Sequence, residues 1–378
     1  MMTANSDSTC ATVSIHNSEF VKNVTIPKGK TVTIEIPNPQ ERKGTGMCQR
    51  TVIIKANPAI TVMSRSYKKT SGDVTLIHPL DWWGKEYYIV TPTNGPSNHY
   101  PEFGVLTHEI ATTVTLELTG AIEYNKKNYQ KGDKLTVNLE PFQFMQIQSQ
   151  DDLSGSRVTS QYPVAVLSGH SCAPNNGGCS HVYEQLKPVH NWGNSYFVPN
   201  LSFQSNNDMV FIMSSKDTCL EYQSGGQKTK TKVSSGQLMR FNVSVSSPFS
   251  IHSKEKIEVM LYGTGGKSKG QTFGSFLTTI PSTECFNRAF NLIGQEDFNN
   301  NLAIVIAKTV KGSEIMFNEK ALKNLKWKEF HESEYSWVEY NYGSDFSSNT
   351  VKHASEPFGL LTIGYSKNKA YGSEAAGI

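Results

Sequence analysis

Residues 158–168 read VTSQYPVAVLS, and the pattern occurs four times along the chain. Residues 53–64 read IIKANPAITVMS, 251–262 read IHSKEKIEVMLY and 351–362 read VKHASEPFGLLT, each about 100 residues from the next. Every copy has an alternating segment, a short polar interruption that usually holds proline, and then a strongly apolar segment. Alternation with a period of two is the signature of a half-buried strand, and a run of four to eight apolar residues suits a buried one. The interruption reads as a turn between two strands.

Two further elements recur between these copies. Pro79-Leu-Asp-Trp-Trp-Gly-Lys-Glu-Tyr-Tyr-Ile-Val aligns without a gap on Pro188-Val-His-Asn-Trp-Gly-Asn-Ser-Tyr-Phe-Val-Pro, and Pro281-Ser-Thr-Glu-Cys-Phe-Asn-Arg-Ala-Phe-Asn-Leu is a degraded third copy. A hairpin pattern at 103–118 (FGVLTHEIATTVTLEL) returns at 209–222 and 302–317, and its second strand alone opens the chain at 11–15. Four copies of one unit alternating with three of another make seven sub-units of about 54 residues, each with close to four strand candidates. Helical periodicity is confined to 313–325 (SEIMFNEKALKNL), which reads equally as strand and loop. The expectation is an all-β fold in one repeat-built domain, residues 1–378, with repeat units near 11–111, 112–217, 218–312 and 313–378. A four-stranded unit cannot bury both faces alone, so radial stacking into a seven-bladed β-propeller is the first architecture expected. Tandem β-sandwiches of about 100 residues are the alternative.

The bulk properties agree with a folded, soluble class. A formal net charge of +3 on 378 residues gives no electrostatic reason to expect nucleic acid or an anionic membrane surface. No apolar run approaches the length of a membrane span, the longest being 302–307. The polar start MMTANSDSTC has no apolar signal region, and the expectation is a mature domain carrying a start methionine rather than a leaderless protein. Six cysteines with no Cys-x-x-Cys motif, together with Asn-x-Ser/Thr sequons at Asn23, Asn200 and Asn242, favour an oxidising compartment. Cys172 and Cys179 flank a Pro-Asn-Asn-Gly-Gly turn and are the expected disulfide; Cys10, Cys48, Cys219 and Cys285 are left unpaired.

Each apparent chemical motif has a plainer explanation. His170, Cys172, Cys179 and His181 could bind zinc, but their spacing is unlike structural zinc sites and suits a disulfide-closed hairpin tip. Ser168 and His170 lie two apart on one strand without the G-x-S-x-G elbow, and other copies hold unrelated residues at this slot. The run 151–156 (DDLSGS) begins like a calcium loop but lacks its regular ligands, so a tight turn explains it better. Trp83 and Trp192 share a repeated slot beside glycine and read as packing, whereas Trp82 is the extra one and the candidate surface contact. The lysines of 228–232 and 267–269 read as solvated hairpin loops, with sulfated glycans as an alternative ligand. A glycosidase would need two carboxylates facing one cleft; Asp81, Glu86 and Glu184 are the candidates, and Glu184 lacks an identifiable partner. No catalytic site, metal or cofactor is expected.

The run 156–199, SRVTSQYPVAVLSGHSCAPNNGGCSHVYEQLKPVHNWGNSYFVP, resembles the IgGFc-binding protein N-terminal domain family. The residues that carry the resemblance are His170, Cys172, Cys179, His181, Glu184, Gln185, Leu186, Pro188, Trp192 and Gly193. It extends over most of the chain, through ATTVTLEL, the Asp-Leu-Ser-Gly turn at 152–155, and Pro357-Phe-Gly with Tyr365 and Tyr371-Gly372. The third unit departs from the pattern, with Cys285-Phe286 where Trp-Gly is expected. The resemblance implies a secreted module, which in the vertebrate mucus protein precedes arrays of von Willebrand type D domains. The family also occurs in organisms without immunoglobulin G, so membership does not imply that ligand. The function expected is a secreted, non-enzymatic binding or adhesion module of mucus or a cell surface, recognising protein or glycan. A glycan-cleaving enzyme and a structural mucus or matrix component are the alternatives.

Overall fold

The computed structural model describes the chain except residues 38–42, 69–70, 93–94, 176–177, 269, 310–313, 323–324 and 345–347. Its elements are β-strands with three short 3₁₀ turns, Leu80–Trp82, Val189–Asn191 and Thr283–Cys285, and no α-helix among the described residues. Among the described residues no helix is long and apolar enough to cross a membrane.

The repeated segment at 158–168 lies in one long strand, Arg157–Asn175, which belongs to two sheets. Its first part pairs with Gly84–Tyr88 and Thr112–Glu117. Its second part pairs with Pro101–Leu106 and Gly178–Gln185. Lys134–Leu139 extends the first sheet and Phe144–Gln148 the second. The register shifts between Thr159 and Val164, where Pro163 cannot donate a ladder bond. Val114, Leu116 and Val158 from one sheet share a core with Phe103, Val105 and Val166 from the other. Apolar residues alternating toward a common interior make this a sandwich.

The same pairing surrounds Phe249–Gly263. Its start pairs with Gly193–Val198 and Thr218–Ser224, its end with Asp208–Ser214 and Phe276–Thr279. In the first and last copies the long strand is divided, into Val52–Asn57 with Ile60–Lys68 and into Ser348–Lys352 with Gly359–Ser366. Met2–Ala4 occupies in the first copy the place of Pro101–Leu106, pairing with Thr31–Val32 and Ile60–Lys68. The first copy therefore contains both strands of its hairpin, not the second alone.

Seven independent four-stranded blades are not what the sheets form. In the second and third copies the interruption expected to be a turn is a bend within a strand, which leaves one sheet and enters its facing partner; in the first and last it separates two strands that do the same. Two sheets joined in this way close on each other as a sandwich, the alternative expected from the sequence. The segment 313–325 carries a small hairpin, Met316–Phe317 with Lys320–Ala321, turned by Asn318 and Glu319 at positive φ; residues 313, 323 and 324 lie outside the described part.

The four copies meet through their last strands. Ser71–Leu76 packs against both Gly178–Gln185 and Lys369–Glu374, and Phe276–Thr279 also touches both. The four strands thus form a cycle of contacts around one axis. The Trp-Gly elements stack beside it. A Cβ on Gly84 would lie 2.3 Å from the Pro188 Cβ, and one on Gly193 2.3 Å from the Ser282 Cβ, so glycine is what permits this approach. The 3₁₀ turn of the third copy is flanked by Ser282 and Phe286. Phe286 therefore takes the tryptophan position, and the true register is one residue from the alignment on Pro281.

Candidate functional site

The disulfide end is built by the long central strand and its return. Cys172 and Cys179 are bonded, with Cα atoms 5.0 Å apart; Asn176 and Gly177 of the connecting turn lie outside the described residues. Both sulfurs are therefore committed to each other rather than to a metal. His170 is buried, and its Nδ1 accepts the Cys172 N–H at 2.9 Å. Burial lowers its pKa to about 4, which keeps the imidazole neutral. His181 lies 3.6 Å from Glu102. Ser168 donates to the Val90 carbonyl at 2.6 Å, a structural use of its hydroxyl.

The carboxylates of the Asp151–Ser156 turn are also engaged within the fold. Asp151 accepts the Ala121 N–H at 2.8 Å, Asp152 accepts the Ser154 N–H at 2.9 Å, and Asp152 pairs with Arg240. Glu86 lies 2.7 Å from Arg157 on an open sheet face, Asp81 is exposed, and Glu184 is fully buried. These candidates do not share a cleft.

Trp82 is 41% exposed beside the exposed Leu80, with its ring stacked on His78 at 5.3 Å. Trp192 is buried in the core of the central sandwich and Trp83 is half-buried. Both indole N–H groups of the repeated slot donate to the backbone five residues earlier, Trp83 to His78 and Trp192 to Lys187. Asn23 and Asn242 are exposed on edge strands, and Asn200 is half-buried and donates to the Val245 carbonyl. Cys10 and Cys219 are exposed free thiols; Cys48 and Cys285 are half-buried ones. Lys228, Lys230 and Lys232 stand on the edge strand Gln227–Val233, not in a loop as expected. Lys267 lies in strand Gly266–Ser268, and Lys269 is outside the described residues.

A buried polar assembly was not anticipated from the sequence. On the strand Ser71–Leu76, Ser71, Asp73 and Thr75 accept the N–H groups of His181, Tyr183 and Gln185 on the neighbouring copy, at 2.8, 3.2 and 3.2 Å. Side chains thus replace a backbone ladder. Asp73 also accepts from Val74 at 2.9 Å, Leu277 at 3.3 Å and Gly372, so one carboxyl group gathers N–H groups from all four copies. Burial pushes its pKa up, and those four N–H groups oppose the shift. Beyond it lie Glu184, His78, Glu258 and the buried pair of Lys187 with Glu374. Burial raises Glu184, raises Glu258 to about 8 and lowers His78 to about 4. Burial alone would depress Lys187, but Glu374 and Glu258 hold it above the ordinary lysine range. The alternation Ser-x-Asp-x-Thr at 71–75 was the one sequence signal for this hub. Nothing in it says that the partners come from three other repeats.

The fold and these surfaces define a class: an all-β repeat protein of linked sandwiches, pinned at a buried polar axis, with an exposed aromatic edge. The chain belongs to the IgGFc-binding protein family, whose model, described as "IgGFc binding protein", matches residues 73–364. It is 34% identical over 355 residues to the Homo sapiens IgGFc-binding protein, covering 94% of this chain and 6% of that protein. The chain therefore spans a small fraction of the relative's length. Among solved structures, the major pilin of Streptococcus pyogenes aligns with a TM-score of 0.18 and 7% identity, over 77% of this chain and 99% of the pilin. A 1.5-MDa bacterial ice-binding adhesin aligns with a TM-score of 0.11 and 12% identity, over 70% and 86%. Neither likeness is close enough to bear on fold or function.

Proposed function

We propose that the chain is a non-enzymatic binding and adhesion module of a secreted protein, engaging a protein or glycan in mucus or at a cell surface, and that residues 1–378 act as a single domain. Membership of a family named for binding is the observation that carries this reading. The disulfide at Cys172 and Cys179 supports an oxidising compartment. The Fc part of immunoglobulin G is the first protein partner to test, because the human relative is named for it. The exposed pair Leu80 and Trp82 is the proposed contact for that partner, since a partly exposed tryptophan is a common energetic centre of interfaces.

The test is binding of Fc and of a panel of secreted glycoproteins to the purified chain, alongside a broad glycosidase screen. Saturable binding that weakens about tenfold or more in Trp82→Ala is expected. Turnover of a glycan substrate without stable binding of any panel member would overturn the proposal in favour of an enzyme. Concentration-dependent self-assembly without a ligand would instead favour a structural component.

A further inference from the structure

We infer that the outer face of the sheet around Gln227–Val233 is a binding site for a sulfated glycan chain. Lys228, Lys230 and Lys232 alternate along that edge strand and are all exposed, while Thr229, Thr231 and Val233 point the other way. Alternate residues of a strand stand about 6.8 Å apart, so the three ammonium groups form a regular row. Exposed Lys254 and His252 lie on the same face of Phe249–Gly263. On this face Glu221 is paired with Lys230 at 2.6 Å and offsets that one lysine, leaving Lys228, Lys232 and Lys254 to set the field. A chain of net charge +3 thus concentrates four lysines and a histidine on one sheet face.

The fold does not require them. The equivalent strand of the second copy, Lys134–Leu139, turns Lys134, Thr136 and Asn138 outward, and that of the first copy turns out Val21, Asn23 and Thr25. One edge lysine guards against strand addition; a row of three with a fourth beyond it exceeds that need. The face also leads into a surface cavity of about 220 Å³ that Gln223, Ser250, Phe330 and His331 help to line, with the carboxylate of Glu329 at its wall, so that the sulfates are assigned to the lysine row and the cavity to an unsulfated part of the chain. Gln223 is the direct cross-strand partner of both Lys228 and Ser250, which makes row and cavity continuous. The cavity is smaller than the roughly 300–1,000 Å³ of drug-sized sites and suits one ring at a time.

The surrounding groups select the kind of polyanion. Gln223 and the Ser195–His252 pair, whose Oγ and Nδ1 are hydrogen bonded at 2.8 Å, place further polar groups along the lysines for the hydroxyls of a sugar. No aromatic ring stands in the lysine row to stack nucleic-acid bases, and no apolar anchor stands there to seat an acidic peptide. A chain carrying regular sulfates and many hydroxyls fits both features. This names a ligand class for the module proposed above, and rests on that reading only in supposing that the protein meets carbohydrate outside the cell.

The test uses the full chain with a fluorescent heparin-derived hexasaccharide, the same oligosaccharide after desulfation, a polyglutamate peptide and a single-stranded oligonucleotide. Binding of the sulfated probe alone is expected, weakening steeply between about 50 and 200 mM salt. The triple variant K228Q/K230Q/K232Q should lose about tenfold or more in affinity while keeping the wild-type melting transition, because these side chains bury nothing. The variant K126Q/K127Q, two exposed lysines of another hairpin, should bind as wild type. Absence of binding, equal binding of the desulfated, peptide or nucleotide probe, or equal loss in both variants would overturn the inference. Loss of Fc or glycoprotein binding in the panel above would speak to the module's general function alone.

Discussion

Asp73 sits where four copies of a repeat converge, and its carboxyl group is the one acceptor that their N–H groups share. Replacing it with alanine leaves buried donors unpaired, each at a cost of roughly 1–3 kcal/mol. Asp73→Ala should therefore lower the unfolding free energy by several kcal/mol, read as a lower urea midpoint, and Asp73→Asn by less, because an amide oxygen still accepts. A midpoint unchanged in Asp73→Ala would mean that the axis is not pinned there. Gly84 is constrained differently, by space. With Pro188 at 2.3 Å from its would-be Cβ, Gly84→Ala should destabilise by about 1–3 kcal/mol, read from a thermal melt of the full chain.

At the scale of the element, the Trp-Gly unit explains itself through one tyrosine. Tyr87 accepts the Gly84 N–H at 2.8 Å and donates to the Val164 carbonyl at 2.6 Å, at the bend of the long strand. Tyr196 repeats this, accepting from Gly193 at 2.9 Å and donating to Ile257 at 2.5 Å. The hydroxyl ties the linker to the place where a strand changes sheets. Burial raises the pKa of both phenols, so both remain protonated donors. Tyr87→Phe and Tyr196→Phe should each cost about 1–3 kcal/mol, and the double variant should show their sum, since the two share no partner. Strong non-additivity in a denaturant series would count against independent ties. In the third linker the corresponding residue is Phe290, which has no hydroxyl, so its packing relies on apolar contacts such as that with Phe358 at 5.0 Å.

For the whole molecule, buried ionisable groups set the pH response, and two sets oppose each other. Burial raises Glu258 from 4.5 to about 8 and Asp208 from 3.8 to about 7. The folded state holds these protons more tightly than the unfolded one, so the stability they supply is complete at low pH and is lost as pH rises from about 4 toward 8. Burial lowers His78 and His170 from 6.5 to about 4. For them the unfolded state takes the proton first, so their contribution is lost as pH falls from 6.5 to 4. The expected profile is a maximum between these limbs, in mildly acid solution. Glu258→Gln should flatten the limb above pH 5 and leave the acid limb in place, as seen in melting temperature against pH. A limb unaltered in that variant would show that Glu258 is not its source.

The sequence by itself determined the strands, the repeat and the disulfide, because each is written in local pattern: alternation for strands, about 100 residues for the period, and a turn between Cys172 and Cys179. It also singled out Trp82 as the tryptophan outside the repeated slot, and the structure places that side chain at the surface. Only the tertiary structure decided how the units assemble. Around Pro163 a reversal and a bend look alike in sequence, since both need a polar interruption lacking one N–H donor. They differ only in which distant strands supply the next hydrogen bonds. For the same reason the lysines of 228–232 looked like a loop until their alternation with the opposite-facing Thr229 and Thr231 was set in a strand. The axis was hidden further still. Ser71, Asp73 and Thr75 are ordinary residues of an alternating strand, and their partners stand about 100 to 300 residues away. Burial, not composition, converts them and the acids beside them into a shared hub, and burial exists only once all four copies have closed around it.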